Sequence, residues 1–231
     1  MLAFFYASAF VLLFWAPFVY YHREVHGVVN PTHCALTLFN AVNVLICLWE
    51  HALFLHRDRS RKHHAALKKR HGDRTLPSPL CLFERITPRQ ALSYEYWSVI
   101  WSTYSLLDPS YANQTSFGFW IDTGNGVVTL APTLLLSVGA TWDLANYSPL
   151  GLSNRALGVL GVVINYQMLY GTVLYFGNYC LNAYYRKTAG PHVATVVVAN
   201  AIWIAFPAMW MRVCWETVSY THLTLPTILL V

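Results

Sequence analysis

Charge is what this sequence has least of. Of its 231 residues, 15 are Lys or Arg and 10 are Asp or Glu, so only 11% are charged, under half the roughly 25% of an ordinary soluble domain. A disordered chain is excluded and a conventional soluble domain is disfavoured, because 56% of residues are apolar and 16% aromatic. The five cysteines form no CxxC spacing, and four lie in or at the ends of apolar runs. Neither a disulfide framework nor a zinc site is indicated, and they read as small buried hydrophobes. There is no internal repeat and no low-complexity tract. The net charge of +5 comes from one loop cluster without an aromatic stacking motif, which argues against a nucleic-acid partner.

Long apolar runs are what the sequence has instead. A chain of this length holds about five or six membrane spans of roughly 20 residues each, with no room for a separate soluble domain. Five stretches qualify: Leu2 to Tyr21, about Cys34 to Leu55, Phe117 to Trp142, Ala156 to Tyr179 and Val193 to Trp215. The first has neither a basic start nor a small-residue cleavage site, so residues 1–22 read as a span rather than a signal peptide. The expected fold is therefore an all-α integral membrane protein of five transmembrane helices.

Between the second and third spans lies a long polar loop, 56–95, which holds 14 of the charges. Its first part, HRDRSRKHHAALKKRHGDR, reads as a solvated helix or coil broken by Pro77 and Pro79. In the segment that follows, Trp97, Ile100, Trp101, Tyr104 and Leu107 recur at helical spacing, which predicts an amphipathic helix in the membrane interface, stopped before Pro109. Residues 219–231 continue no span pattern and resemble a read-through peptide; they carry no functional weight. Twelve Lys/Arg on the side of loops 56–95 and 184–192, against Arg23, Arg155 and Arg212 on the other, favour a cytoplasmic long loop.

An acid inside a span is expensive and needs a partner or a task. Glu50 lies five residues before the end of the second span and Asp122 five residues after the start of the third. At 1.5 Å rise per residue each lies roughly 8 Å below the same membrane surface. Asn43, Cys47, Glu50 and Phe54 share one helical face; Gly118, Asp122, Asn125/Gly126 and Thr129 share another, whose small residues leave space. Tyr170 and Tyr175 on the fourth span, with Asn200 and Trp203 on the fifth, enter the same layer at depths of roughly 5 to 15 Å. Such a group can serve packing alone. It also suits a pocket for an apolar ligand, with carboxyls placed for proton transfer. Apolar surroundings favour the neutral carboxyl, so one acid can act as proton donor at neutral pH.

His51, His56, His63, His64 and His71 raise a second chemistry, that of membrane di-iron desaturases and hydroxylases. Those need HxxxH and HxxHH clusters, whereas here the first gaps are four and six residues and the last three histidines lie among Lys and Arg. A solvated basic loop is the default reading and a metal site the alternative.

From the second span onward the chain resembles the EXPERA family, which includes sterol Δ8–Δ7 isomerases of the emopamil-binding type and the sigma-two receptors. WEHALF at 49–54 looks like the end of that family's first conserved helix, and IWSTYSLLDPSY at 100–111 like its Trp-x-x-Tyr…Asp-x-x-Tyr segment. Asp122 follows Tyr111 by eleven residues, the spacing of the isomerase's second acid. YGTVLYF at 170–176 and NAIWIAFP at 200–207 resemble two further motifs. The resemblance implies that residues 33–218 are an EXPERA-like four-helix membrane domain with an insertion at 56–95. It implies catalysis by Glu50 and Asp122 and substrate binding by Asn200, Trp203, Tyr170, Tyr175, Trp101 and Tyr104. It implies a sterol or sterol-like lipid as substrate, no cofactor or metal, and residence in the endoplasmic reticulum among membrane lipids, with a homodimer left open.

Four departures from the family pattern bear more on turnover than on ligand binding. Ile46 stands where the isomerase has a His, the second acid is Asp122 rather than Glu, Thr172 replaces an Asp, and the loop after the first motif is longer. The family orientation would make loop 56–95 lumenal, opposite to the charge count, so orientation stays open. A non-catalytic sterol or lipid binder, like the sigma-two receptors, is the alternative function.

Overall fold

The computed structural model describes residues 1–71, 80–142, 153–187 and 190–220. The breaks expected at Pro77 and Pro79 and the tail from residue 221 lie outside the described residues. Among the described residues the chain is all-helical, 87% helix with no strands. The helices are α1 (Ala3–His26), α2 (Pro31–Leu55), α3 (Arg57–His71), α4 (Pro88–Ala91), α5 (Tyr94–Trp97), α6 (Val99–Tyr104), α7 (Phe117–Thr141), α8 (Asn154–Leu181) and α9 (Gly190–Tyr220).

Five of them, α1, α2, α7, α8 and α9, are long and apolar enough to cross a membrane. In hydrocarbon every backbone N–H and C=O must be paired within the chain, and the helix does this without a partner. Pro17, Pro132 and Pro207 lie inside α1, α7 and α9, a position that spanning helices tolerate better than soluble ones. The helices overrun the apolar stretches read from sequence. α1 continues past Tyr21 to His26, and α9 begins at Gly190 and continues past Trp215 to Tyr220. Helical hydrogen bonding persists through polar residues that end a hydropathy run.

Two compact units divide the chain: Met1–Ala9, Ile46–Val127 and Gly171–Ile202 form the first, and Phe10–Leu45, Val128–Tyr170 and Trp203–Val231 the second. In the first unit the basic segment 57–71 is helical. α3 turns small polar side chains toward α6: the Ser60 and Ser102 hydroxyls are 3.2 Å apart, and the Ser102 hydroxyl donates to the Ser60 carbonyl at 3.1 Å. The segment expected as one amphipathic helix forms two short ones. Ser93 caps α5 by accepting from the Tyr96 amide, and Trp97, Ile100 and Trp101 are buried. The Trp101 indole donates to the Trp49 carbonyl at 2.7 Å, and Trp49 stacks on Trp97 with ring centroids 5.3 Å apart.

His64 links α3 to the Ser102 carbonyl through Nδ1, at 3.4 Å. Burial pushes its imidazole below the usual value, although the bond to Ser102 raises it. The unfolded segment therefore takes up a proton first, and the stability of this contact is full above about pH 6.5 and declines as pH falls below it. Protection factors of the α3 and α6 amides, that is exchange corrected for its intrinsic pH dependence, should fall between pH 7.5 and pH 5.5. The fall should be weaker in His64→Gln; an unchanged profile in that variant would exclude His64 as the cause.

In the second unit Leu36, Phe39, Leu136, Ile164, Met168 and Trp210 form a buried apolar cluster. Gly158 lets α8 approach α9, because a Cβ there would lie 3.0 Å from the Cys214 carbonyl oxygen. α2 and α7 are joined by polar side chains at four-residue intervals on α7: Thr129, Thr133, Ser137 and Thr141. Asn40 donates to the Ser137 hydroxyl at 2.9 Å, Asn43 to the Thr133 hydroxyl at 2.9 Å, and His33 Nε2 lies 3.1 Å from the Thr141 hydroxyl. Polar side chains of this kind hold helices together in lipid, where apolar burial offers no preference between helix and tail.

Candidate functional site

Glu50 and Asp122 both belong to the first unit. Glu50 is 4% exposed on α2, while Asp122 on α7 is half-buried. The Asp122 carboxyl is near enough to act electrostatically on Glu50. Gly126 makes this approach feasible: a Cβ there would lie 2.8 Å from the Glu50 Cβ and 3.1 Å from the Cys47 carbonyl oxygen. The face expected to leave space thus brings the α7 backbone directly against the Glu50 side chain.

Phenols surround the acids in the same unit. Asp108 caps the 3-10 turn Pro109–Ala112, accepting the Ser110 amide at 2.9 Å, and this turn positions the buried Tyr111. The Tyr111 hydroxyl lies within hydrogen-bonding reach of the Asp122 carboxyl. Its ring stacks on Trp101 at 5.2 Å and meets Tyr104 edge-on at 5.0 Å. The Tyr104 hydroxyl is 3.1 Å from that of Tyr175 and accepts from Asn200 Nδ2 at 3.0 Å.

Burial pushes the Tyr104 and Tyr111 phenols well above their usual values, so both stay protonated donors. Burial also raises the Asp108 carboxyl, against the lowering effect of its bonds to Ser110. The arrangement is two neighbouring carboxyls, one of them touched by a phenol, beside protonated hydroxyls and aromatic faces. Chemically it can pass protons over short distances and stabilise a developing positive charge.

Six of the residues singled out from sequence share this unit: Glu50, Asp122, Trp101, Tyr104, Tyr175 and Asn200. The other two belong to the second unit. Trp203 donates its indole N–H to Asn43 Oδ1 at 3.2 Å and packs edge-on against Phe39. Tyr170 is 51% exposed and stacks on Tyr166. Three residues near the acids were missed. Tyr111 and Asp108 were visible only as part of the Asp-Pro-Ser-Tyr string, whose turn-forming Asp-Pro was the available signal. Gly126 was marked as small but not as the point of closest approach.

Among the described residues, no group of three or more His, Cys, Asp or Glu side chains is arranged to hold a metal ion. His51, His56, His63 and His64 therefore do not form the cluster that a di-iron site requires. Comparison of the chain with protein-family models, curated proteins and solved structures gave no match.

Proposed function

We propose that the chain is a sterol isomerase-like membrane protein of the EXPERA type, which moves a ring double bond from Δ8 to Δ7. The observation that carries this reading is the carboxyl pair, Glu50 against Asp122, among protonated phenols. The neutral acid gives its proton to one carbon of the double bond, leaving a carbocation on the other. The remaining carboxylate takes a proton from the adjacent ring carbon, and the double bond re-forms one position along. One proton enters the ring and one leaves, so no redox partner is consumed. The two carboxyls end with exchanged protonation states, and a proton passing between them resets the site.

Aromatic faces of Trp101, Tyr111 and Tyr104 supply cation–π stabilisation during the reaction. The segment from Pro88 to Tyr104 is read as an interfacial cover, held to α2 by the bond from Trp101 to the Trp49 carbonyl. A sterol-like lipid would enter from the bilayer, and the endoplasmic reticulum, where such lipids are made, is the proposed location.

A second reading, a non-catalytic sterol or lipid binder, is favoured by Ile46. This apolar side chain lies one turn from Glu50 where the isomerases carry a His. The test is sterol analysis of an isomerase-deficient strain expressing the chain. Conversion of the Δ8-sterol that is lost in Asp122→Ala supports the isomerase. Unchanged conversion in that variant sinks it, and saturable sterol binding without product assigns the second reading.

A further inference from the structure

We propose that α3 carries a binding site for the phosphate-bearing headgroup of an anionic phospholipid, in a groove that it forms with α5 and α6. The groove has a volume of about 610 Å³ and is lined by His56, Arg59, Lys62, His63, Glu95 and Val99, a size typical of small-molecule sites. It uses neither Glu50 nor Asp122 and is independent of the isomerase reading.

The charge distribution is one-sided. α3 has the sequence RDRSRKHHAALKKRH, seven Lys or Arg against the single acid Asp58. Ser60 is buried, while Arg57, Arg59, Arg61, Lys62, Lys68, Lys69 and Arg70 are all exposed. Two of these cations are neutralised locally, Arg61 by Asp58 and Arg59 by Glu95. The second ion pair matters here, because it cancels the carboxylate that would otherwise repel an anion from the groove. Lys62 and His63 line the same groove, and His63 Nδ1 has no hydrogen-bond partner. A phosphate oxygen in the groove would be a charge-assisted acceptor for the Lys62 ammonium.

Position favours a lipid as the source of the phosphate. α3 starts at Arg57, two residues after α2 ends at Leu55, so the groove lies at the level where α2 leaves the hydrocarbon and headgroups begin. Polybasic segments in this juxtamembrane position are attracted to an anionic membrane surface. The Lys/Arg count favours the cytoplasmic side for this loop.

The experiment uses the full chain in a neutral detergent, with binding followed by native mass spectrometry. The probes are dihexanoyl phosphatidylserine, dihexanoyl phosphatidylcholine, inorganic phosphate and a short single-stranded RNA. The expected result is saturable binding of phosphatidylserine only. Lys62→Ala should weaken it about tenfold, the share of one charge-assisted hydrogen bond. Lys68→Ala/Lys69→Ala should change it by less than about twofold, as expected of exposed charges outside the groove. Equal losses in the two variants would mean diffuse attraction and overturn the site. Equal binding of phosphatidylcholine or inorganic phosphate, tighter binding of RNA, or no binding of phosphatidylserine would overturn the lipid. Unchanged melting temperatures of both variants keep a folding defect out of the comparison.

Discussion

Glu50→Gln should lower isomerisation of a Δ8-sterol by about two to four orders of magnitude, the usual worth of a positioned general acid or base, while sterol binding survives. Gln keeps the shape of Glu50 and its hydrogen-bonding capacity but neither gives nor takes a proton. The side chain is buried against Gly126, so an isosteric amide occupies the same space without creating a cavity. Measuring kcat with binding affinity separates the two roles. Loss of turnover with retained affinity assigns proton transfer to Glu50, whereas retained turnover means that the carboxyl serves packing alone. Asp122→Glu is the informative companion, because it lengthens the acid by one methylene and keeps the carboxyl. It should keep turnover, since Asp122 is only half-buried and the acid group is retained.

Gly126→Val should destabilise the protein at the upper end of the about 1–3 kcal/mol typical of overpacking. The atoms that a new side chain meets are the Glu50 Cβ at 2.8 Å and the Cys47 carbonyl oxygen at 3.1 Å. Neither is the free end of a flexible chain, so relief requires α2 and α7 to separate, and the carboxyl pair separates with them. Gly124 provides the control. It lies on the same helix two residues away, and a Cβ there meets nothing within 4 Å. Thermal unfolding in detergent should therefore show a clear fall for Gly126→Val and little change for Gly124→Val. Equal effects would mean that the cost is a general property of valine in this helix.

The five long helices were legible because hydropathy and length are read directly from composition, and in a bilayer few other backbone structures are available. The pairing of Glu50 with Asp122 was legible for a geometric reason: their equal distances from the ends of consecutive antiparallel spans fix equal depth. The partners of the remaining side chains were not legible. Asn200 and Trp203 are three residues apart on α9, yet one donates to Tyr104 and the other to Asn43. A helical turn sets direction around the axis but does not name the neighbour that fills it.

The ladder of Thr129, Thr133, Ser137 and Thr141 was hidden for a different reason. Ser and Thr barely disturb an apolar run, and their bonds to Asn40, Asn43 and His33 join segments about 90 to 108 residues apart in sequence. The split of residues 94–104 into α5 and α6 depends on a local cap at Ser93 and a turn at Ser98. Apolar spacing alone runs straight across that turn.

The chain has only four lysines, Lys62, Lys68, Lys69 and Lys187, and all four fall in the first compact unit. Three lie on the exposed face of α3, and the fourth is in the loop between α8 and α9, an even number of crossings away. With α7 and α8 both crossing the bilayer, all four positions fall on one side of it. A membrane-impermeant amine reagent added outside sealed vesicles of known sidedness will modify all four or none. That single labelling decides between the cytoplasmic loop favoured by the charge count and the lumenal loop implied by the family resemblance.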